Sequence, residues 1–160
     1  MRGWVFFVGF LCLASPAVAA RQQVGQFYGW GAFSERAAGR CFAASEPAGR
    51  QGSGGAAFVT FWPDAGNRAR PSFRLRSPPR AGSAILLLIG GRSFPLKSIG
   101  GREVIPADPR VEGAILAAMR SEPRLTIVTR TARGGRIRDD YALTGFSSAV
   151  DAAALACARP

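Results

Sequence analysis

Ala84-Ile85-Leu86-Leu87-Leu88-Ile89-Gly90-Gly91-Arg92-Ser93-Phe94-Pro95-Leu96 decides the fold class of this chain. Ala84 to Ile89 is a short, continuous apolar run bounded by turn formers, which predicts a strand buried on both faces. Gly90-Gly91 predicts a two-residue hairpin turn, because both residues take positive φ at little steric cost. The return strand, Arg92 to Leu96, puts Phe94 and Leu96 on one face. Pro95 has no N–H to give to a ladder, which predicts an edge strand or a bulge there.

Upstream, Gly, Pro and Ser recur at intervals that suit short strands better than helices. Gln26 to Phe33, Arg40 to Ser45 and Ala56 to Trp62 read as strands; the last is apolar on both faces and should lie centrally. Ser72 to Arg76 alternates, with Phe73 and Leu75 inward and Ser72, Arg74 and Arg76 outward. Ala48 to Gly55, Asp64 to Pro71 and Ser77 to Ser83 read as loops. Downstream, Asp108 as N-cap and Pro109 at the first helical position open a helix whose apolar face is Val111, Ile115, Ala118 and Met119; Pro123 stops it. Leu125 to Arg130 and Ile137 to Thr144 form a second hairpin about Gly134-Gly135. A closing helix from Ser148 to about Ala158 is capped by Ser148 and Asp151 and turns Val150, Ala154 and Cys157 to one face. The sum is a mainly β fold: a β-sandwich or partly open barrel of about eight short strands, with one inserted helix and one C-terminal helix.

The 160 residues suit a single domain. Residues 1–20 read as a signal peptide, leaving one β-rich domain over 21–160. Arg2 precedes the apolar run Trp4 to Leu13, Pro16 breaks it, and Ala17-Val18-Ala19 has the small-x-small pattern of a cleavage site after Ala19 or Ala20. The alternative is an uncleaved anchor, but the stretch is barely long enough to span a bilayer. Nothing later in the chain reads as a transmembrane segment. Cys12 lacks the small preceding residue of a lipid-attachment site. Cleavage would leave Cys41 and Cys157, which an oxidising compartment favours as a disulfide; the alternative is two unrelated buried thiols. Localisation is expected to be periplasmic or secreted.

The formal charge is +11, carried by arginine except at Lys97. The densest basic run, Arg68, Arg70, Arg74, Arg76 and Arg80, reads either as a solvated strand face and loop or as a surface for an anionic partner such as lipid head groups or nucleic acid. The chain has no His, which removes Ser-His-Asp and Cys-His triads and His-based zinc sites. It also has no CxxC redox motif. Glu35, Glu46, Asp139 and Asp140 are the remaining carboxylate candidates. Asp139 and Asp140 are adjacent and face opposite sides of a strand, and Arg136 or Arg138 should pair with one of them. Trp30, Phe33, Phe61 and Trp62 read either as core or as an aromatic surface, and Tyr141 as a buried residue with its hydroxyl bonded. The glycines of Gly52-Ser53-Gly54-Gly55 lack the strand–helix context of a phosphate loop. No motif for specific nucleic-acid recognition is present. No catalytic, cofactor-binding or metal site is expected.

Several pieces occur in an order that resembles the invasion-associated locus B family of small exported bacterial proteins. They are Gly29-Trp30-Gly31-Ala32-Phe33; Cys41-Phe42-Ala43-Ala44-Ser45-x-Pro47; and Gly91-x-x-Phe94-x-Leu96. Ala114-Ile115-x-Ala117-Ala118-Met119-Arg120, Asp140-Tyr141-x-Leu143-x-Gly145-Phe146 and a final helix with Ala156-Cys157 complete the set. The chain departs from the family in having Phe42 where Tyr is frequent, Arg where loops are often Lys-rich, and no aromatic residue from Lys97 to Pro106. The resemblance implies an envelope or periplasmic domain without known catalytic residues. The expected function is therefore a non-catalytic interaction or structural protein, with an envelope protein or an anionic envelope surface as partner and no cofactor. The alternatives are a carrier of a small lipid-like ligand held between sheets, and a His-free hydrolase.

Overall fold

The computed structural model describes residues 21–158. The expected signal segment 1–20, with Cys12, lies outside the described residues. Among these residues the strands are β1 (Gln22–Phe27), β2 (Trp30–Glu35), β3 (Arg40–Ser45), β4 (Ala56–Phe61), β5 (Arg70–Arg74), β6 (Ile85–Ile89), β7 (Arg92–Gly100), β8 (Glu103–Pro106), β9 (Arg124–Arg130) and β10 (Arg136–Ala142). Helix α1 (Glu112–Ser121) is inserted after β8, and α2 (Phe146–Ala158) follows β10. The strands make one antiparallel sheet in the order β1-β2-β3-β4-β5-β8-β7-β6-β9-β10.

The fold is mainly β with the two helices where the sequence places them. Gly90 and Gly91 adopt φ of 53° and 75°, and Ile89 pairs with Arg92 across the turn. The described residues form ten strands rather than about eight, for two reasons. The segment read as one strand from Gln26 to Phe33 folds back on itself at Tyr28-Gly29, so that Phe27 pairs with Trp30. Tyr28 holds φ at 53°, a left-handed conformation uncommon for a bulky residue, so its sequence does not announce a turn. The other added strand, β8, is short and lies between β5 and β7.

Consequently β7 is not an edge strand. The Pro95 carbonyl accepts from Ala107 N just beyond the last residue of β8, at 3.0 Å. A strand residue points its N–H and C=O to the same neighbour, so the missing N–H of Pro95 falls where β8 has ended.

Asp108 caps as expected, accepting from Arg110 N at 2.9 Å, but it opens a 3₁₀ turn that runs into α1. Ile115, Ala118 and Met119 form the buried face of α1. Helix α2 begins at Phe146, two residues before the expected cap, so Ser148 lies within its first turn. Phe146, the first residue of the helix, is buried in the core.

β1 and β10 are not paired, so the sheet is not closed into a barrel. It nevertheless curls. Trp30 donates from Nε1 to the Ala142 carbonyl at 2.8 Å, and Ala48 N donates to the Asp140 carbonyl at 2.7 Å. These bonds carry the far end of the sheet back to β2 and to the loop after β3. Inside the curl, Trp30, Phe73, Leu87, Ile127, Ile137 and Tyr141 are fully buried, joined by Ile115 from α1 and Phe146 from α2. The interior that a lipid-like carrier would use is filled by these side chains.

Cys41 on β3 and Cys157 on α2 are joined by a disulfide, with Cα atoms 5.6 Å apart. No helix among the described residues is long and apolar enough to cross a membrane.

Candidate functional site: an arginine–phenylalanine face

Strand alternation turns Cys41 and Ala43 inward and leaves Arg40, Phe42 and Ala44 on the outer face of β3. Pairing then sets Phe33 of β2 opposite Phe42, Phe42 opposite Thr60 of β4, and Ala44 opposite Phe58. Ser72 of β5 lies opposite Phe58, and Arg70 opposite Thr60. The rings make a ladder across three strands: Phe33 stacks on Phe42 with centroids 5.2 Å apart, and Phe42 meets Phe58 edge-on at 6.1 Å.

Three guanidinium groups lie over this ladder. Arg21 is 5.1 Å from the Phe42 centroid, Arg40 is 5.6 Å from it, and Arg74 is 5.5 Å from that of Phe58. Two carboxylates hold them at one side. Glu35 accepts from Arg21 at 2.8 Å and from Arg40 at 2.6 Å, and Glu103 accepts from Arg74 at 2.6 Å. Burial opposes ionisation of Glu35, but the hydrogen bonds and charges of Arg40 and Arg21 outweigh it and hold its carboxyl below the usual range.

Two depressions score this face. One, of about 340 Å³, lies where Thr60 and Ser72 are smaller than the flanking Phe42, Phe58 and Trp62. The other, of about 300 Å³, lies over Gly31, Ala44 and Ala56. Arg21, Phe42, Phe58 and Arg74 line both. Gly31 leaves room for the Phe33 ring: a Cβ at this position would come within 2.7 Å of the ring's far edge and displace it.

The arginines singled out in the sequence do not form one surface. Arg70 and Arg74 lie on the outer face of β5, while Arg68 and Arg80 are exposed in loops. Arg76 turns inward past the end of β5, and its Nε lies 2.8 Å from Asp139 Oδ1. Arg40 and Arg21, which belong to the face, escape a reading based on density along the chain. Of the four aromatic candidates, Trp30 and Phe61 are core, whereas Phe33 and Trp62 are half-buried on the outer face.

The carboxylate candidates are dispersed, each with its own partners. Glu35 serves Arg21 and Arg40, and Glu46 accepts from Gly52 N at 3.1 Å. Asp140 faces outward, accepts from the Thr126 hydroxyl and lies 3.5 Å from Arg138. Asp139 faces the core at 1 % exposure beside Arg76, with Arg50 at 4.0 Å. The Tyr141 hydroxyl, expected to be bonded, makes no hydrogen bond among the described residues. Its burial, with the negative charges of Asp139 and Glu46, pushes its ionisation upward.

Burial raises the Asp139 carboxyl above its ordinary 3.8, and the Arg76 and Arg50 charges only partly offset this. The native state therefore holds this proton more tightly than the unfolded chain. Asp139 should make stability fall as pH rises from 3.8 through its raised value, with the cost fully present above that value. Urea titrations across this range should show that slope, and Asp139→Asn should remove it. A wild-type slope that survives in the variant would contradict the assignment.

No family model and no curated protein matches the sequence. A solved structure does match: invasion associated protein B from Bartonella henselae superposes over 87 % of this chain and 99 % of its own, with a TM-score of 0.65. The two share a fold. At 16 % identity the likeness extends to the architecture, and it agrees with the fold that the family resemblance implied. The arginine–phenylalanine face stands on this chain's own residues.

Proposed function

We propose that this chain is an exported, envelope-associated, non-catalytic protein that binds an anionic envelope surface through its arginine–phenylalanine face. The observation that carries the reading is the stacking of Arg21, Arg40 and Arg74 on phenyl rings at the outer surface of the sheet. A guanidinium stacked on a ring and held at Nε by a carboxylate is fixed in place, and it has further N–H donors to offer an oxyanion. The wider charge balance, +11 over the whole sequence, attracts the same class of partner. The fold shared with a protein named for invasion, together with the leader-like start of this chain, supports an envelope setting.

Cosedimentation with vesicles tests this. Binding is expected to phosphatidylglycerol vesicles and not to phosphatidylcholine vesicles, and to fall as salt rises. Each of Arg40→Gln and Arg74→Gln should weaken it about fivefold, since a basic residue near an anionic surface contributes about 1 kcal/mol. Equal binding to both vesicles, or none to either, would overturn the reading and leave an envelope protein, sought by crosslinking, as the partner.

A further inference from the structure

The two depressions on the outer face meet at Arg21, Phe42, Phe58 and Arg74, which line both. Each is near the lower end of the roughly 300–1,000 Å³ of small-molecule sites. The junction carries guanidinium groups. The larger depression extends from it over apolar surface to Ile105 and Ile99, and Ile99 is 60 % exposed among the described residues. The charges leave one positive charge over: Arg21, Arg40 and Arg74 face the larger depression, with Glu35 pairing the first two and Glu103 the third. A wholly apolar ligand would leave the excess positive charge at the junction unmatched, and a bare oxyanion would leave Ile99 exposed to water.

We infer that this groove binds a single-chain amphiphile with an oxyanion head, the head on the Arg21–Arg74 junction and the chain over Phe58, Ile105 and Ile99. This deepens the reading of the face as an anionic-surface binder by naming what one molecule of that surface offers it. A carboxylate or a phosphate head satisfies the same guanidinium edges. The site lies on the outside of the sheet, so it does not require the filled interior to open.

Trp62 lines the larger depression and is half-buried, whereas Trp30 is sealed in the core and Trp4 lies outside the described residues, so the fluorescence change that Trp62→Phe removes reports on the groove. The full chain is titrated with dodecyl phosphate and with dodecanoate below their micellar concentrations, with dodecyl maltoside and inorganic phosphate as comparisons. Trp62→Phe assigns the signal. Saturable one-to-one binding is expected for one or both anionic amphiphiles, the stronger of them identifying the head, and none for the maltoside. Inorganic phosphate should bind at least about tenfold more weakly.

Arg74→Gln and Ile99→Asp should each weaken binding about tenfold. Arg74 and Glu103 are a partly exposed pair and Ile99 is exposed, so both variants should unfold within about 1 kcal/mol of the wild type. Absence of saturable binding, equal binding of the maltoside, or indifference to both substitutions would overturn the inference. The vesicle result separates the two ideas. Salt-sensitive vesicle binding without a saturable amphiphile site would remove the groove and keep the surface reading. A saturable site without vesicle binding would do the reverse.

Discussion

Reduction of the Cys41–Cys157 bond is expected to lower the unfolding free energy by about 4–5 kcal/mol. The cysteines are 116 positions apart, so the bond closes most of the described chain into one loop and restricts the unfolded state accordingly. In the native state it fastens the last turn of α2 to the third strand of the sheet. The rest of α2 is anchored by Phe146, Ala149, Val150 and Ala153, all at least one turn before Cys157. The end of α2 should therefore fray first once the bond is gone. Guanidinium titrations of the oxidised and reduced protein, with Cys157→Ser as a check, should show a lower midpoint and early loss of helical signal. A loss below about 1 kcal/mol would mean that packing alone holds the helix.

Trp30→Ala is expected to cost about 3–5 kcal/mol, the range for removing a large aromatic side chain from a core. Trp30 has 0 % exposure and meets Phe146 edge-on with centroids 4.9 Å apart. Its Nε1–H also bonds the Ala142 carbonyl at 2.8 Å, linking the second strand to the tenth where the sheet does not close. Trp30→Phe separates the two roles. It keeps an aromatic ring beside Phe146 and loses the bond to Ala142, so a smaller cost of about 1–3 kcal/mol is expected. Urea titrations of both variants measure the difference. If Trp30→Phe costs as much as Trp30→Ala, the indole hydrogen bond, rather than packing, holds the curled sheet together.

Much of the fold was legible because local chemistry and tertiary packing agree. The Gly90-Gly91 turn needed two positive φ values, and two glycines supply them. The inward face of α1 follows from the spacing of Ile115, Ala118 and Met119, and the alternation of Phe73 and Leu75 from strand geometry. The sequence was silent where a local rule was broken. Tyr28 turns the chain with the left-handed backbone usually left to glycine or asparagine, and it is 80 % exposed, so no burial pattern marks it either. Pro95 suggested an edge, yet β7 is paired on both sides because β8 stops where the proline lacks its donor.

The site was less legible than the fold. Arg40-x-Phe42 and Phe58-x-Thr60 each show two outward positions of a strand, but which strand stands beside which is fixed by register across the sheet. Arg76 shows the converse. Its period matches Arg74, yet it lies beyond the last residue of β5 and turns toward Asp139. Density of arginine along the chain therefore mixed a groove residue with a partner of a buried carboxylate.

The account rests on export of the chain to an oxidising compartment, and intact mass of the protein recovered from the periplasmic fraction tests this most directly. Thiol alkylation is carried out with and without prior reduction. The predicted result is a chain beginning at Ala20 or Arg21 whose two cysteines are alkylated only after reduction. A full-length mass with Cys12, Cys41 and Cys157 all alkylated without reduction would contradict it, removing the compartment, the disulfide and the envelope surface together.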